Sequence, residues 1–195
     1  DLGANVKNES SSLIDNAILG SALAKALFNM ENPSVGLLNV GIEDTKGNDV
    51  VQKAAEALIQ MNLENKINYQ GFIEGNDIAV GKTNVVVTDG FTGNIALKTA
   101  EGTANMVKIF FKKAFESSLI SKIGYFLASL PINTVKQKLD PSVHNCGIFI
   151  GLSAPVIKCH GNSNHLGISY ASDIAYSLID KQVNQKVKMI LTDKN

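Results

Sequence analysis

Asn84-Val85-Val86-Val87-Thr88 runs without a break into Asp89-Gly90-Phe91-Thr92-Gly93-Asn94, and this junction decides the fold. A β-branched apolar run of that kind reads as a buried strand of a parallel sheet. From about residue 95 to about 116 the pattern becomes helical, with Val107, Phe111 and Phe115 along one side and Lys108, Lys112 and Lys113 on others. The residues between form a strand-to-helix turn, the place where open α/β sheets hold ligands. Gly90 and Gly93 let a ligand come close to the backbone, and the first N–H groups of the helix favour an anion. Asp89 adds an acceptor and Asn94 an amide. The same six residues also suit a tight junction with a helix cap and nothing more.

The preceding chain supports a layered sheet. Ser12-x-x-Asp15 has the form of a capping box, and a helix follows to about residue 29 with the small face Ala17, Gly20, Ala24. Pro33 stops it. A strand over 35–40, a helix over 49–62 with Val51, Ala54, Ala55, Leu58 and Ile59 on one face, and a strand over 67–73 come next. Residues 74–82 read as a loop or short helix. Strand and helix thus alternate, as in an α/β sheet with crossover connections. Near the end, Pro155-Val156-Ile157-Lys158 reads as a strand, Cys159-His160-Gly161-Asn162 as a turn, and Ala171, Ala175, Leu178 and Ile179 as one face of a final helix.

Composition narrows the function classes. The 195 residues are 45% hydrophobic and 18% charged, with Lys+Arg and Asp+Glu both at 18, which argues against general nucleic-acid binding. Cys146 and Cys159 suggest neither a disulfide framework nor a paired metal site, and a reducing cytoplasm is the expected setting. No stretch reads as a secretory signal, and no apolar run reaches the roughly 18 residues that span a bilayer. Because Asp1 opens on what resembles the end of a strand, the chain is expected to be the C-terminal portion of a longer protein.

Three polar turns each follow an expected parallel strand and should open at one sheet edge. They are Gly41-Ile42-Glu43-Asp44-Thr45-Lys46-Gly47-Asn48, the 89–94 turn, and Lys158-Cys159-His160-Gly161-Asn162. Together they offer Lys46, Lys158 and His160 as cations or donors and Asn48 and Asn94 as amides, an anion site that suits phosphate. Neither a dinucleotide fingerprint nor a P-loop is present. Taken singly, each residue has an ordinary alternative. Lys46 in a polar turn is commonly a solvated charge, Asp89 a helix cap, and His160 a partner of a nearby carbonyl. His144 and His165 read as structural, and Cys159 beside His160 does not make a dyad, because neighbours in a strand point apart.

These segments resemble the PlsX family of bacterial phosphate acyltransferases. The likeness is carried by residues 1–5, Gly36-Leu37-Leu38-Asn39-Val40-Gly41, Glu43-Asp44-Thr45-Lys46-Gly47-Asn48, residues 85–99 including Leu97-Lys98-Thr99, and residues 151–161. It runs essentially end to end over the C-terminal part of the family's chain, the N-terminal part being absent. Cys146-Gly147 stands where two glycines are expected, Cys159 where Ser or Ala is usual, and Ser153-Ala154 where Asn-Gly is customary.

The resemblance implies a three-layer α/β/α fold like isocitrate dehydrogenases and phosphotransacetylases, with a helical hairpin inserted at about 95–140. It implies a homodimer with no metal, nucleotide or other cofactor. The implied reaction moves a fatty acyl group from acyl carrier protein to inorganic phosphate, giving acyl phosphate for phospholipid synthesis. In that reading Lys46, Asn94, Asp89 and His160 are catalytic. Gly90, Thr92, Gly93, Lys98, Lys158 and Asn48 bind phosphate or substrate.

The apolar stretch over 120–132, with Ile123, Phe126, Leu127 and Leu130, reads either as buried in a dimer or as a tip on anionic membrane. Membrane contact would place the protein on the inner face of the cell membrane, near a glycerol-3-phosphate acyltransferase. Lysines there could equally receive the acidic carrier protein. The rival readings are a coenzyme A-dependent phosphotransacetylase and a non-catalytic piece that dimerises or binds a membrane or carrier. A dehydrogenase of the same fold group is weakest, because no metal-binding carboxylate cluster is seen.

Overall fold

A computed structural model describes residues 1–7, 9–138, 146–159, 161 and 163–192. In chain order the elements are α1 (Ser10–Phe28), β1 (Ser34–Leu38), α2 (Asp49–Leu63), β2 (Asn68–Ile73), α3 (Gly75–Val80), β3 (Val85–Val87) and α4 (Gly90–Glu116). There follow α5 (Leu119–Leu127), α6 (Ser129–Lys138), β4 (Cys146–Phe149), β5 (Val156–Cys159), α7 (His165–Asp180) and α8 (Val183–Thr192). The fold is α/β, as expected, with β1 at the centre of a parallel sheet ordered β2-β1-β3.

One face of this sheet is covered by α1 and α2. Leu13 and Ala17 of α1 meet Ala54, Ala55 and Leu58 of α2 over Val35, Leu37 and Val87. Leu13, Leu37 and Leu58 are wholly buried, each worth about 1.5–3 kcal/mol of burial. The small face of α1 has the role its sequence suggests. At Gly20 an added Cβ would lie 2.7 Å from Val85 Cγ1, so only glycine lets the helix come this close to β3. The Ser12/Asp15 capping box does not form, because α1 begins at Ser10 and is preceded by Glu9 in extended conformation with no side-chain cap.

The opposite side of α1 forms a second core. Ala22 and Ala26 pack with Leu178, Val183 and Val187, joined by Leu19, Leu23, Leu27, Ile148 and Ile157. Here β4 and β5 form an antiparallel hairpin of their own, which corrects the expectation that the 155–158 strand extends the parallel sheet. The connection between them, residues 150–155, is too short for a parallel crossover, which needs a dozen residues or more.

Strand β2 carries a bulge. Its register against β1 slips between Val35 and Leu37, so Tyr69 and Phe72 both join the α2 side, and Gly71 supplies a φ of +86°. Between this strand and α2 lies an open groove of about 470 Å³ walled by Ile42, Ala55, Ile59, Leu63, Tyr69 and Phe72. The Tyr69 hydroxyl is buried in its wall without a hydrogen-bond partner. Burial, with the Asp44 carboxylate adding to it, pushes the phenol up to about 12.

The third part is an arm. Beyond Gly93, α4 buries no residue fully and leaves Met106, Ile109, Phe110 and Phe111 exposed. It packs against α5, where Phe115 meets Tyr125 with ring centroids 5.3 Å apart. Lys136 of α6 donates to the Tyr125 hydroxyl at 2.7 Å. Three helices thus occupy the span where the resemblance implies a helical hairpin.

Two stability predictions follow from the packing. Gly20→Ala should destabilise by about 1–2 kcal/mol despite its better helix propensity, because the added methyl would overlap Val85 Cγ1 at 2.7 Å and force the β-branched side chain or the helix to shift. Adding Val85→Ala should recover part of that loss in chemical denaturation; strict additivity would show that the contact is not the cause. For Tyr69, the folded state keeps a proton that the unfolded state loses near pH 10, so stability should fall as pH rises from 10 to 12. Tyr69→Phe should remove that fall and, by deleting an unpartnered hydroxyl, raise stability at neutral pH by about 1 kcal/mol. Denaturant melts across the pH range would check both effects.

Candidate functional site

Because β1 and β3 are parallel neighbours, with Leu37 opposite Val87, the chain leaves both at the same edge. The 39–48 loop and the 88–94 junction therefore stand side by side, as the sequence implies. A third segment joins them. Residues 1–5 form a turn closed by the Asp1 carboxylate, which accepts from the N–H groups of Gly3, Ala4 and Asn5 at 2.7–2.9 Å. This turn lies on the start of α4, where Gly90 N–H donates to the Asn5 carbonyl at 3.1 Å.

That contact changes the reading of the two glycines. A Cβ at Gly93 would lie 2.0 Å from the Asp1 carbonyl oxygen, and one at Gly90 would lie 2.5 Å from that of Asn5. The close approach they permit is to the chain's own backbone. They also do not precede the helix, since α4 begins at Gly90, five residues before the expected start. Asp89 is its N-cap. The carboxylate accepts from Thr92 N–H at 2.8 Å and from the Thr92 hydroxyl at 2.7 Å.

Burial alone would raise the Asp89 pKa. The Thr92 bonds, helped by the Phe91 N–H and its own, outweigh it and hold the carboxyl below its usual value. Gly93 N–H goes to the Asp89 carbonyl. The first N–H groups of α4 are thus engaged within the chain and face an ionised carboxylate. An anion is held off this helix start, and Gly90, Thr92 and Gly93 build the junction in place of offering free donors. Asn94, half-buried one turn in, stands beside Gly3.

The cationic side of the edge comes from the 39–48 loop. Asn39 Nδ2 donates to the Lys46 carbonyl at 3.0 Å, and Gln52 Nε2 of α2 donates to the same oxygen. Asn39 Oδ1 accepts from Val40 N–H at 2.9 Å. Gly47 continues the loop with φ of +97°, and a Cβ there would strike Asn39 Oδ1 at 2.6 Å. The backbone of Lys46 is therefore pinned while its side chain is exposed. Among the described residues its ammonium makes no ion pair; the pairs present join Lys66 to Glu64, Lys82 to Asp77, and Lys112 to Glu116. Asn48 caps α2 by accepting from Val51 N–H at 3.0 Å.

Sequence reasoning missed Asn39 and Gln52 as positioning residues; the only signal was polarity at a strand end and a first helical turn. It also missed the groove beside Tyr69, whose signal was a glycine inside a strand pattern. Lys98 is exposed on the third turn of α4. Lys158 is exposed on β5, outside the parallel sheet, so the third turn does not open at the β1–β3 edge by strand pairing. His160, Asn162 and His144 lie outside the described residues. The chain contains no arginine, so the permanent cations it can bring to a phosphate are lysines, which act as point charges.

Comparison with known proteins matches the sequence of this chain to one family. The family described as fatty acid synthesis protein matches residues 1–186. The chain is 47% identical over 188 residues to a phosphate acyltransferase of Paramagnetospirillum magneticum, covering 96% of this chain and 53% of that protein. A phosphate acyltransferase of Rhizobium etli is 44% identical over 188 residues, covering 96% of this chain and 54% of that protein. One of Xanthobacter autotrophicus is 43% identical over 194 residues, covering 100% and 54%. The chain spans about half the length of these curated relatives. With the family's match running from the turn on the start of α4 to within α8, the chain belongs to the fatty acid synthesis protein family, the PlsX phosphate acyltransferases.

Proposed function

We propose that the protein containing this chain transfers a fatty acyl group from acyl carrier protein to inorganic phosphate, releasing the carrier thiol and forming acyl phosphate for phospholipid synthesis. The observation that carries this reading is the pinned, unpaired Lys46 beside the start of α4, in a chain similar to phosphate acyltransferases. Phosphate near neutral pH is already an anionic nucleophile and needs no strong base. Its oxygen attacks the thioester carbonyl, a tetrahedral oxyanion forms, and the carbon–sulfur bond breaks as thiolate departs. What the protein must supply is a cradle for phosphate, donors at the oxyanion and a proton for the sulfur.

Lys46 is assigned to phosphate or the oxyanion and Asn94 to the oxyanion. Asp89 holds the first turn of α4, and through it Asn94. Because an ionised Asp89 repels anions, phosphate belongs on the Lys46 side of the edge, with Lys98 and Asn48 as outer contacts. His160 or Lys158 assists phosphate or the leaving thiol.

The arm supports a separate contact. Ile123, Phe126, Leu127 and Leu130 are 62%, 76%, 78% and 81% exposed, and large exposed apolar surface of this kind marks interaction sites. Lys108, Lys112, Lys113, Lys122 and Lys136 lie along the same arm. Among the described residues no helix is long and apolar enough to cross a membrane. Two occupants suit this surface, a second copy in a homodimer or the anionic inner face of the cell membrane, where acyl phosphate would pass to a glycerol-3-phosphate acyltransferase. An acidic carrier protein is drawn to the same lysines.

In the full-length protein, Lys46→Ala and Asn94→Ala should each lower kcat about 100-fold or more, as loss of one oxyanion donor does. Near-normal turnover would remove that residue from the mechanism. Running the assay with acyl carrier protein and coenzyme A thioesters in parallel separates this reading from the phosphotransacetylase one. Phe126→Glu with Leu127→Glu should weaken flotation with anionic vesicles about 100-fold, since each apolar side chain contributes about 1.5–3 kcal/mol on burial. Undiminished flotation would assign the arm to contact between copies.

A further inference from the structure

The two cysteines, 13 positions apart in sequence, are direct cross-strand partners. Cys146 opens β4 and Cys159 closes β5, and the antiparallel register sets them opposite one another at the open end of the hairpin. Their sulfurs are 3.9 Å apart. Nothing in the sequence signals this pairing, because the register of β4 and β5 alone brings the two together.

Directly opposed residues of an antiparallel pair have Cα atoms about 4.5–5.5 Å apart, within the roughly 4.4–6.8 Å that a disulfide spans. With the sulfurs already 3.9 Å apart, bond formation here asks chiefly for rotation about side-chain bonds. Both residues are free thiols of intermediate exposure, so a small oxidant can reach them. Cys146 Sγ also sits 3.9 Å from the carbonyl of Gly167, in the first turn of α7. That turn is itself fixed by Asn164, whose Oδ1 accepts from Leu166 and Gly167 N–H.

We propose that Cys146 and Cys159 are a reversible redox site, joined by two-electron oxidation into a disulfide that staples the base of the β4–β5 hairpin. With a peroxide as oxidant, one sulfur attacks an oxygen, the O–O bond breaks, and the departing hydroxide leaves as water, giving a sulfenic acid. The second sulfur attacks the first, the S–O bond breaks, and a second water leaves with the remaining thiol proton. Two thiols and one hydrogen peroxide thus become a disulfide and two waters. A dithiol reductant reverses the change by exchange.

Burial and the neighbouring Cys159 push the Cys146 thiol up. The staple would tie the start of β4 to the residue that leads from β5 into α7. It would therefore fix the part of the chain on which Lys158 stands.

The test uses the full-length protein, reduced and then exposed to hydrogen peroxide, quenched with iodoacetamide and digested. The expected product is an intramolecular peptide pair linking Cys146 to Cys159, cleaved by dithiothreitol. In Cys159→Ser the link should be absent, and Cys146 should be recovered largely alkylated. Recovery of both residues alkylated after peroxide would overturn the proposal. So would separate sulfinic acids, or links only between molecules. Because the readout is the peptide map, the result stands whatever the acyl-transfer assays give.

Discussion

Helix α1 is the constraint on which the rest depends. Small residues on each of its two faces let neighbours come close, and each face closes a different core. Leu13, Ala17 and Gly20 bring it onto the parallel sheet, while Ala22 and Ala26 bring α7 and α8 onto its back. A larger residue on either face would push one core away while leaving the other in place. Since β1 and β3 are positioned by that first face, the edge carrying Lys46 and Asn94 inherits its geometry from packing one layer below.

The edge itself shows how a polar site is kept in order without burying it. Lys46 is exposed, yet its carbonyl is held by two side-chain amides, one from the end of β1 and one from α2. Asp89 spends its charge on the helix that follows, and the 1–5 turn lies against that helix through two glycines. Side chains that face solvent are thus anchored through their backbones, where hydrogen bonds cost little side-chain entropy. Such an arrangement leaves the lysine head free to follow a charge that moves during a reaction.

How much of this was legible depends on the residue. Val85, Val86 and Val87 announce a parallel strand because β-branched runs have few other uses, though β3 lies at the end of the three-stranded order and only Val87 is fully buried; the 49–62 helix is visible in its apolar period. The early start of α4 was hidden because Gly90 and Gly93 read as helix breakers. Only the 1–5 turn lying on them, a contact across nearly ninety residues, explains why they are tolerated. Strand β4 was overlooked since Cys146-Gly147-Ile148-Phe149 is short and contains glycine, and without it the direction of β5 could not be inferred. Asn39 and Gln52 carry no signature at all: an amide that holds a carbonyl looks in sequence like any polar surface residue.

The length of α4 has a geometric result of its own. At about 1.5 Å per residue its 27 residues measure about 40 Å, with the polar edge at one end and the apolar arm at the other. Headgroups on one side of a bilayer occupy only about 5–8 Å. A surface on which the arm rests would therefore be separated from Asn94 by a stand-off several times the headgroup depth. With its axis standing off such a surface, the helix would be a spacer, setting the polar edge at a fixed height above whatever the arm rests on.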